Sequence, residues 1–414
     1  MCRALEAALP CALRRCAGIG SRVVAALLCA LPPFLLPLAL ARADGHAVLD
    51  ANALLAGRLD EGLLVLHSGY RNSSWIDADA LVWTGADAGG GDADVLVVSV
   101  RLRAPHGLGE ARFGRFILST GAVRPVQIDG ASALGRLPNG STVELFAGMP
   151  VVPELGPRAF DWLAGARAGQ WLFEQRLGAG VSYLHRRDAG ELSAEELGAD
   201  LSATPLPWAS LHAVAAFDLI YDDFAEARAS ALVHDEHDHV ELFAAHRVAA
   251  RLLPATSLFS VLGATPGAEL GADGSWNAFP RLDLGATVAL ETLGDTLGYR
   301  AALRSTLRFS DVTESDLRVE VTRRELRDDG WSGARVSGAW PLARGLRAHA
   351  SVELVRADHP GTRGALWPWS RAGMSYAIGA RWLLSGALGL RATPELSREL
   401  TALVRVGYRT EPWP

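Results

Sequence analysis

Six consecutive residues, His234-Asp235-Glu236-His237-Asp238-His239, bring three imidazoles and three carboxylates into one short run. Such donors suit zinc or nickel. The run falls in a polar turn between two alternating segments, where nothing rigid orients ligands, so a solvated turn is expected and no metal is assigned. Ser, His and Asp are all present, but no Gly-x-Ser-x-Gly elbow, phosphate loop, dinucleotide fingerprint or zinc-protease helix accompanies them. His246 falls on an apolar face and reads as an interface residue rather than half of a Ser–His pair. All 40 basic residues are arginines, which excludes any lysine-dependent mechanism. No catalytic, cofactor-binding or metal residue is assigned, no cofactor is expected, and the chain does not read as an enzyme.

The chemistry that the spacing does offer is a charged wall. Arg300, Arg304, Arg308, Arg318, Glu320, Arg324, Arg347, His349, Glu353, Arg405 and Arg409 fall on the face opposite the apolar positions of their segments. An arginine on a lipid face costs about 2–4 kcal/mol at the membrane midplane, so these eleven are expected to line a lumen. Arginines outnumber acids among them, which predicts a mild preference for anions. A wall of neutralising Arg–carboxylate pairs in a narrow barrel is the competing expectation.

The elements that must hold such a wall are strands, because a strand points alternate side chains to opposite faces. Leu400, Ala402, Val404, Val406 and Tyr408 oppose Glu399, Thr401, Arg405, Gly407 and Arg409. Leu317, Val319 and Val321 oppose Arg318, Glu320 and Thr322, and Leu284, Ala286, Val288 and Leu290 oppose Asp283, Gly285, Thr287 and Glu291. The rhythm runs back to Trp162 in segments of about ten residues, the length that crosses a bilayer at a tilt. Short polar turns separate them. A soluble β-sandwich would also alternate, but its apolar face would be bulkier; here Ala, Val and Leu dominate, with aromatics such as Tyr183, Phe217, Phe309, Trp340 and Tyr408 near segment ends. That distribution fits aromatic belts at a membrane interface. The expected fold is all-β, a transmembrane antiparallel up-and-down β-barrel of about 16 strands, within a range of 14–18.

Residues 1–43 read as a cleaved signal peptide: Arg3, Arg14, Arg15 and Arg22 precede an apolar run to Leu40, and Ala41-Arg42-Ala43 supplies a small-x-small exit. A retained anchor is the rival, disfavoured by Pro32, Pro33 and Pro37. All four cysteines lie in this segment, so the mature chain has no disulfide. It retains 35 arginines against 45 carboxylates, and without a basic domain nucleic acid is not an expected partner. Residues 44–60 read as a short periplasmic N-terminal segment and 61–414 as the barrel. The Gly- and Pro-rich stretches 125–157 and 252–277 read as long loops, extracellular or folded inward as plugs.

With the export signal, the thiol-free mature chain and the hairpin series in hand, the sequence resembles bacterial outer-membrane β-barrel proteins, and more narrowly porin-like barrels of GC-rich bacteria. The stretches Ala179-Gly180-Val181-Ser182-Tyr183-Leu184-His185-Arg186-Arg187-Asp188 and Leu253-Pro254-Ala255-Thr256-Ser257-Leu258-Phe259-Ser260-Val261 carry the likeness. The resemblance implies residence in the bacterial outer membrane, with the lipid bilayer and the outer-membrane assembly machinery as partners. It implies a passive channel for small hydrophilic solutes; the alternatives are a non-conducting structural, adhesion or secretion-associated barrel, and an outer-membrane enzyme.

Overall fold

The computed structural model describes residues 45–56, 59–72, 75–87, 90–151, 161–248, 266–310, 315–326, 330–361, 364–392 and 399–410. The expected targeting segment 1–43 lies outside them. Twenty-two strands account for most of these residues. They are β1 (Gly45–Ala56), β2 (Leu59–Asn72), β3 (Ile76–Asp87), β4 (Gly90–Arg103), β5 (Gly109–Leu118), β6 (Val126–Arg136), β7 (Ser141–Pro150) and β8 (Trp162–Leu172). There follow β9 (Leu177–Asp188), β10 (Glu191–Leu206), β11 (Ala209–Asp218), β12 (Asp223–His234), β13 (His239–Val248), β14 (Pro266–Phe279) and β15 (Leu282–Leu293). The last are β16 (Thr296–Ser310), β17 (Ser315–Leu326), β18 (Trp331–Ala343), β19 (Leu346–Gly361), β20 (Gly364–Ile378), β21 (Trp382–Arg391) and β22 (Glu399–Arg409). Each pairs antiparallel with the next, and β1 pairs with β22 from Val48↔Arg409 to Ala56↔Thr401, closing one sheet into a barrel. No helix among the described residues is long and apolar enough to cross a membrane.

The expected 16 strands are therefore too few. Residues 44–60 hold β1 and the start of β2 rather than a periplasmic segment. The stretch 125–157 holds β6 and β7, joined by the short turn 137–140, rather than a loop. Its prolines bracket the strands instead of interrupting them: Pro125 precedes β6, Pro138 sits in the turn and Pro150 ends β7, positions that cost no ladder hydrogen bond. Of the stretch 252–277, the part from Pro266 is β14, and 252–265 lies outside the described residues.

The shared register gives the sheet two faces of opposite character. Leu290, Val288 and Ala286 on β15 stand opposite Tyr299, Ala301 and Leu303 on β16, while Glu291, Ala289 and Gly285 stand opposite Gly298, Arg300 and Arg304. The first set belongs to an apolar face that is exposed around most of the molecule, with Leu303 at 65% and Leu400 at 64%. The two rims also differ. Connections on the side of the chain termini are short, such as 207–208, 280–281 and 344–345, whereas the opposite rim carries 119–125, 151–161, 249–265 and 392–398.

At one place the wall folds. β4 and β5 pair only from Val98↔Arg115 to Arg103↔Glu110, but β5 and β6 stay paired out to Leu118↔Val126. The departure begins at Gly114, whose φ of +110° is open to glycine alone and where a Cβ would collide with the Val98 carbonyl. Gly114 faces Gly130, and Gly130 faces Gly148, so three adjacent strands carry no side chain along this crease. Beyond it Phe116, Leu118, Val126 and Ile128 meet Val123, Phe146, Leu163 and Leu184 in a buried cluster. Each such side chain contributes about 1.5–3 kcal/mol.

Gly114→Ala is expected to destabilise the barrel by about 1–3 kcal/mol through backbone strain, lowering its urea midpoint. Gly91→Ala, where a Cβ finds only ordinary contact, leaves that midpoint unchanged.

Candidate functional site

The connection 119–125 between β5 and β6 lies on the polar face as a strap. The Thr120 hydroxyl donates to a Glu144 carboxylate oxygen on β7. Gly121, at φ +53°, passes so close to Arg167 on β8 and Asp200 on β10 that a Cβ would strike both side chains. Ala122 is 4% exposed, above Gly198 and Ser182. The strap thus runs along the wall from β5 to β10. Arg167 lies five residues from the start of its strand, roughly 15 Å from the rim along β8. Beneath the strap Arg167 grips Asp200 with two hydrogen bonds, Nε to Oδ2 at 3.0 Å and Nη2 to Oδ1 at 2.5 Å. Beside Gly121 opens a cavity of about 500 Å³ lined by Asp200, Ser202, His212, Arg228, Glu241 and Phe243 among others.

The eleven residues expected on the charged wall share the polar face by register, but they spread over β16, β17, β19 and β22 rather than forming one cluster. Most of those on β16 and β17 are paired. Arg300 bonds Glu269 and, at 2.8 Å, Glu291; Arg324 reaches Glu291 at 2.8 Å. Arg304 bonds Asp273 and donates to the Thr287 hydroxyl at 2.9 Å, and Arg308 bonds Asp283. Arg318 meets Asp316 at 2.6 Å, and Glu320 stands opposite both Arg304 and Arg335. Farther round, Arg347 faces Ser375, His349 faces Gly373, and Glu353 faces Arg335 and Trp369. Arg335 lies 5.7 Å from the Trp369 ring centre. Arg405 donates to Asp50 of β1 at 2.9 Å, and Arg409 faces Val48.

Sequence reasoning missed the acidic half of this wall and the whole strap. On the polar face of β10 to β15, Asp200, Glu226, Glu241, Glu269, Asp273, Asp283 and Glu291 outnumber Arg228 and Arg247. From β16 to β22 arginines predominate. Carrying the parity of β15 and β16 upstream would have found these acids; no local pattern announces the strap. The His234–His239 run is a hairpin turn in which Asp235 Oδ1 accepts from the amides of His237 at 2.8 Å and Asp238 at 2.7 Å. Those amides hold the Asp235 carboxyl below the usual carboxylate range. His246 lies on the apolar face opposite Ala227 and Ala268.

No protein-family model and no curated protein sequence matches the chain. Solved structures do. The ferric enterobactin receptor PfeA of Pseudomonas aeruginosa superposes with a TM-score of 0.59 at 10% identity, over 89% of this chain and 81% of the receptor. The ferric citrate transporter FecA gives 0.55 at 9%, over 88% and 79%. The P pilus usher translocation pore PapC gives 0.51 at 9%, over 88% and 99%. At such identities the likeness is one of fold: this chain is a closed, antiparallel β-barrel with two faces of opposite character, as the strand pairing shows.

Asp200→Asn is expected to leave the half-buried Arg167 without its charge partner and to cost about 3 kcal/mol in urea unfolding, with faster proteolysis within 119–125. Adding Arg167→Gln recovers part of the loss; strictly additive losses would show that the two side chains do not act together.

Proposed function

We propose that the polar face lines a water-filled lumen, that the apolar face meets lipid, and that the protein is a passive outer-membrane channel for small hydrophilic solutes. The observation that carries this reading is the wall itself: most of the strands present charge on one face, while on the other the charged side chains are confined to one rim. Barrel diameter grows with strand number, and barrels of 16–18 strands already leave an aqueous channel. Among the described residues only the strap 119–125 lies against the wall, so it narrows the lumen from one side. Short turns belong to the periplasmic rim and long loops to the outside, which puts both chain termini in the periplasm and the strap's root at the outer rim.

Charge pairing favours weak ion selectivity over the mild anion preference expected from the arginines alone. The pairs of β14 to β17 neutralise that part of the wall. The remaining acidic and basic arcs are separated by more than the Debye length, about 8 Å at physiological salt, so each attracts its own counterions.

The test is planar-bilayer recording with the refolded mature chain. Stepwise conductance with a reversal potential near zero in a salt gradient is the expected outcome, and replacing 119–125 by a Gly-Ser linker raises the step size. A folded, inserted barrel that never conducts, with or without the strap, would refute the channel.

A further inference from the structure

The apolar face is not the same at its two ends. On the half nearest the terminus-bearing rim its described residues include no charged side chain, and aromatics such as Trp276, Phe309, Trp340, Tyr376, Trp382 and Tyr408 stand there. Every ion pair on this face, among the described residues, lies at the opposite rim, within five residues of a strand end. Arg115 pairs with Asp129 at 2.7 Å, and Arg187 lies near Glu195, which accepts from the Tyr183 hydroxyl. The largest group crosses β16 to β19. Arg323 donates to Glu325 at 2.7 Å, to Asp358 at 2.8 Å and to the Ser332 hydroxyl at 3.3 Å, and the Tyr299 hydroxyl donates to Glu325 at 3.2 Å. Ser332 stands in register between Arg323 and Arg356, so a hydroxyl on β18 separates guanidinium groups on the two strands that flank it, β17 and β19.

We propose that this group, Tyr299, Arg323, Ser332 and Arg356, binds the phosphorylated sugar headgroup of a membrane glycolipid. The inference rests on the reading that the apolar face meets lipid. A bilayer with the same headgroups on both sides would select similar belts at both rims, whereas uncharged aromatics at one and ion pairs at the other fit two leaflets of different chemistry. Charge on a lipid-facing strand is costly in hydrocarbon, so these pairs belong in a polar layer. They reach some 10–15 Å down the strands, deeper than the thin headgroup layer of a glycerophospholipid. Guanidinium groups suit phosphate through charge-assisted, paired hydrogen bonds. The carboxylates fix the Arg323 fork and accept from sugar hydroxyls, while Arg356, exposed and in the field of Asp358, adds a second guanidinium for phosphate.

The test uses the mature chain in detergent, scored by native mass spectrometry against bis-phosphorylated lipid A, dephosphorylated lipid A and phosphatidylglycerol. Lipid A is expected to bind best, with removal of its phosphates or Arg356→Gln weakening it about tenfold. Arg323→Gln weakens it further, but that variant also frees two carboxylates, so Arg356→Gln, which leaves the Arg323 hydrogen bonds to both in place, is the deciding one. Arg344→Gln, at the other rim, leaves binding unchanged. Equal retention of phosphatidylglycerol, competition by inorganic phosphate alone, or no effect of Arg356→Gln would overturn the glycolipid site. Insertion is scored separately by bilayer conductance: a chain that conducts but shows no lipid A preference refutes this inference alone, and one that never enters a bilayer refutes both readings.

Discussion

Closure of the sheet is the constraint on which the rest of the structure depends. In a membrane an unpaired strand edge leaves a row of backbone groups without partners, each costing several kcal/mol, and only a closed ladder removes both edges. Here the two edges are β1 and β22, and their pairing is reinforced by Arg405 reaching Asp50 across 355 residues of chain. Closure also ties all strands to one parity, since a slip of a single residue would turn every charged side chain to the apolar face. Most register faults accordingly lie near strand ends, as at Ala203/Leu206, Asn277/Phe279 and Pro341/Ala343. The fault at Leu81/Val82 lies inside the sheet, on the strand that pairs with β4.

That fault adjoins the place where the ladder opens. Once β5 leaves β4, the backbone of β4 near Leu96 loses its neighbour, and the lost hydrogen bonds must be made up elsewhere. Side chains supply them: the Gln127 amide donates to the Leu96 carbonyl at 2.6 Å, and Arg115 donates to the Val95 carbonyl at 2.9 Å. The freed hairpin end then buries Phe116, Val126 and Ile128 against the wall and carries the strap with it. Three facing glycines, two side chains that replace a ladder and one apolar cluster therefore form a single device; none of them makes sense without the others.

Legibility in the sequence follows the same physics. β15, β16, β17 and β22 are legible almost to the residue because one face is apolar and the other is charged, so the period of two is unmistakable. Between β5 and β8 the polar face is itself apolar where the strap covers it, at Phe116, Leu118, Ile128 and Phe146, and blank at Gly114, Gly130 and Gly148. Both faces then look alike, alternation disappears, and strands resemble loops. β1 is hidden for a related reason, since Leu54-Leu55 breaks its alternation near the rim. The strap is not legible at all: Thr120, Glu144, Arg167 and Asp200 are brought together only by strands lying side by side.

The division of the polar face into acidic and basic arcs follows from the order of strands rather than from any one of them. Neighbouring strands in sequence are neighbours in space, so a run of acid-bearing hairpins followed by a run of arginine-bearing ones becomes two arcs of one wall. They must touch where β15 meets β16, and there Arg300, Arg304 and Arg308 find Glu291, Asp273 and Asp283. Away from that seam local pairs such as Arg405 with Asp50, Arg391 with Glu399 and Arg167 with Asp200 neutralise only part of the wall. The charges left over find the opposite sign only across the barrel. Water and counterions are the remaining source of compensation, and a barrel whose wall needs them is more stable filled with solvent than packed dry.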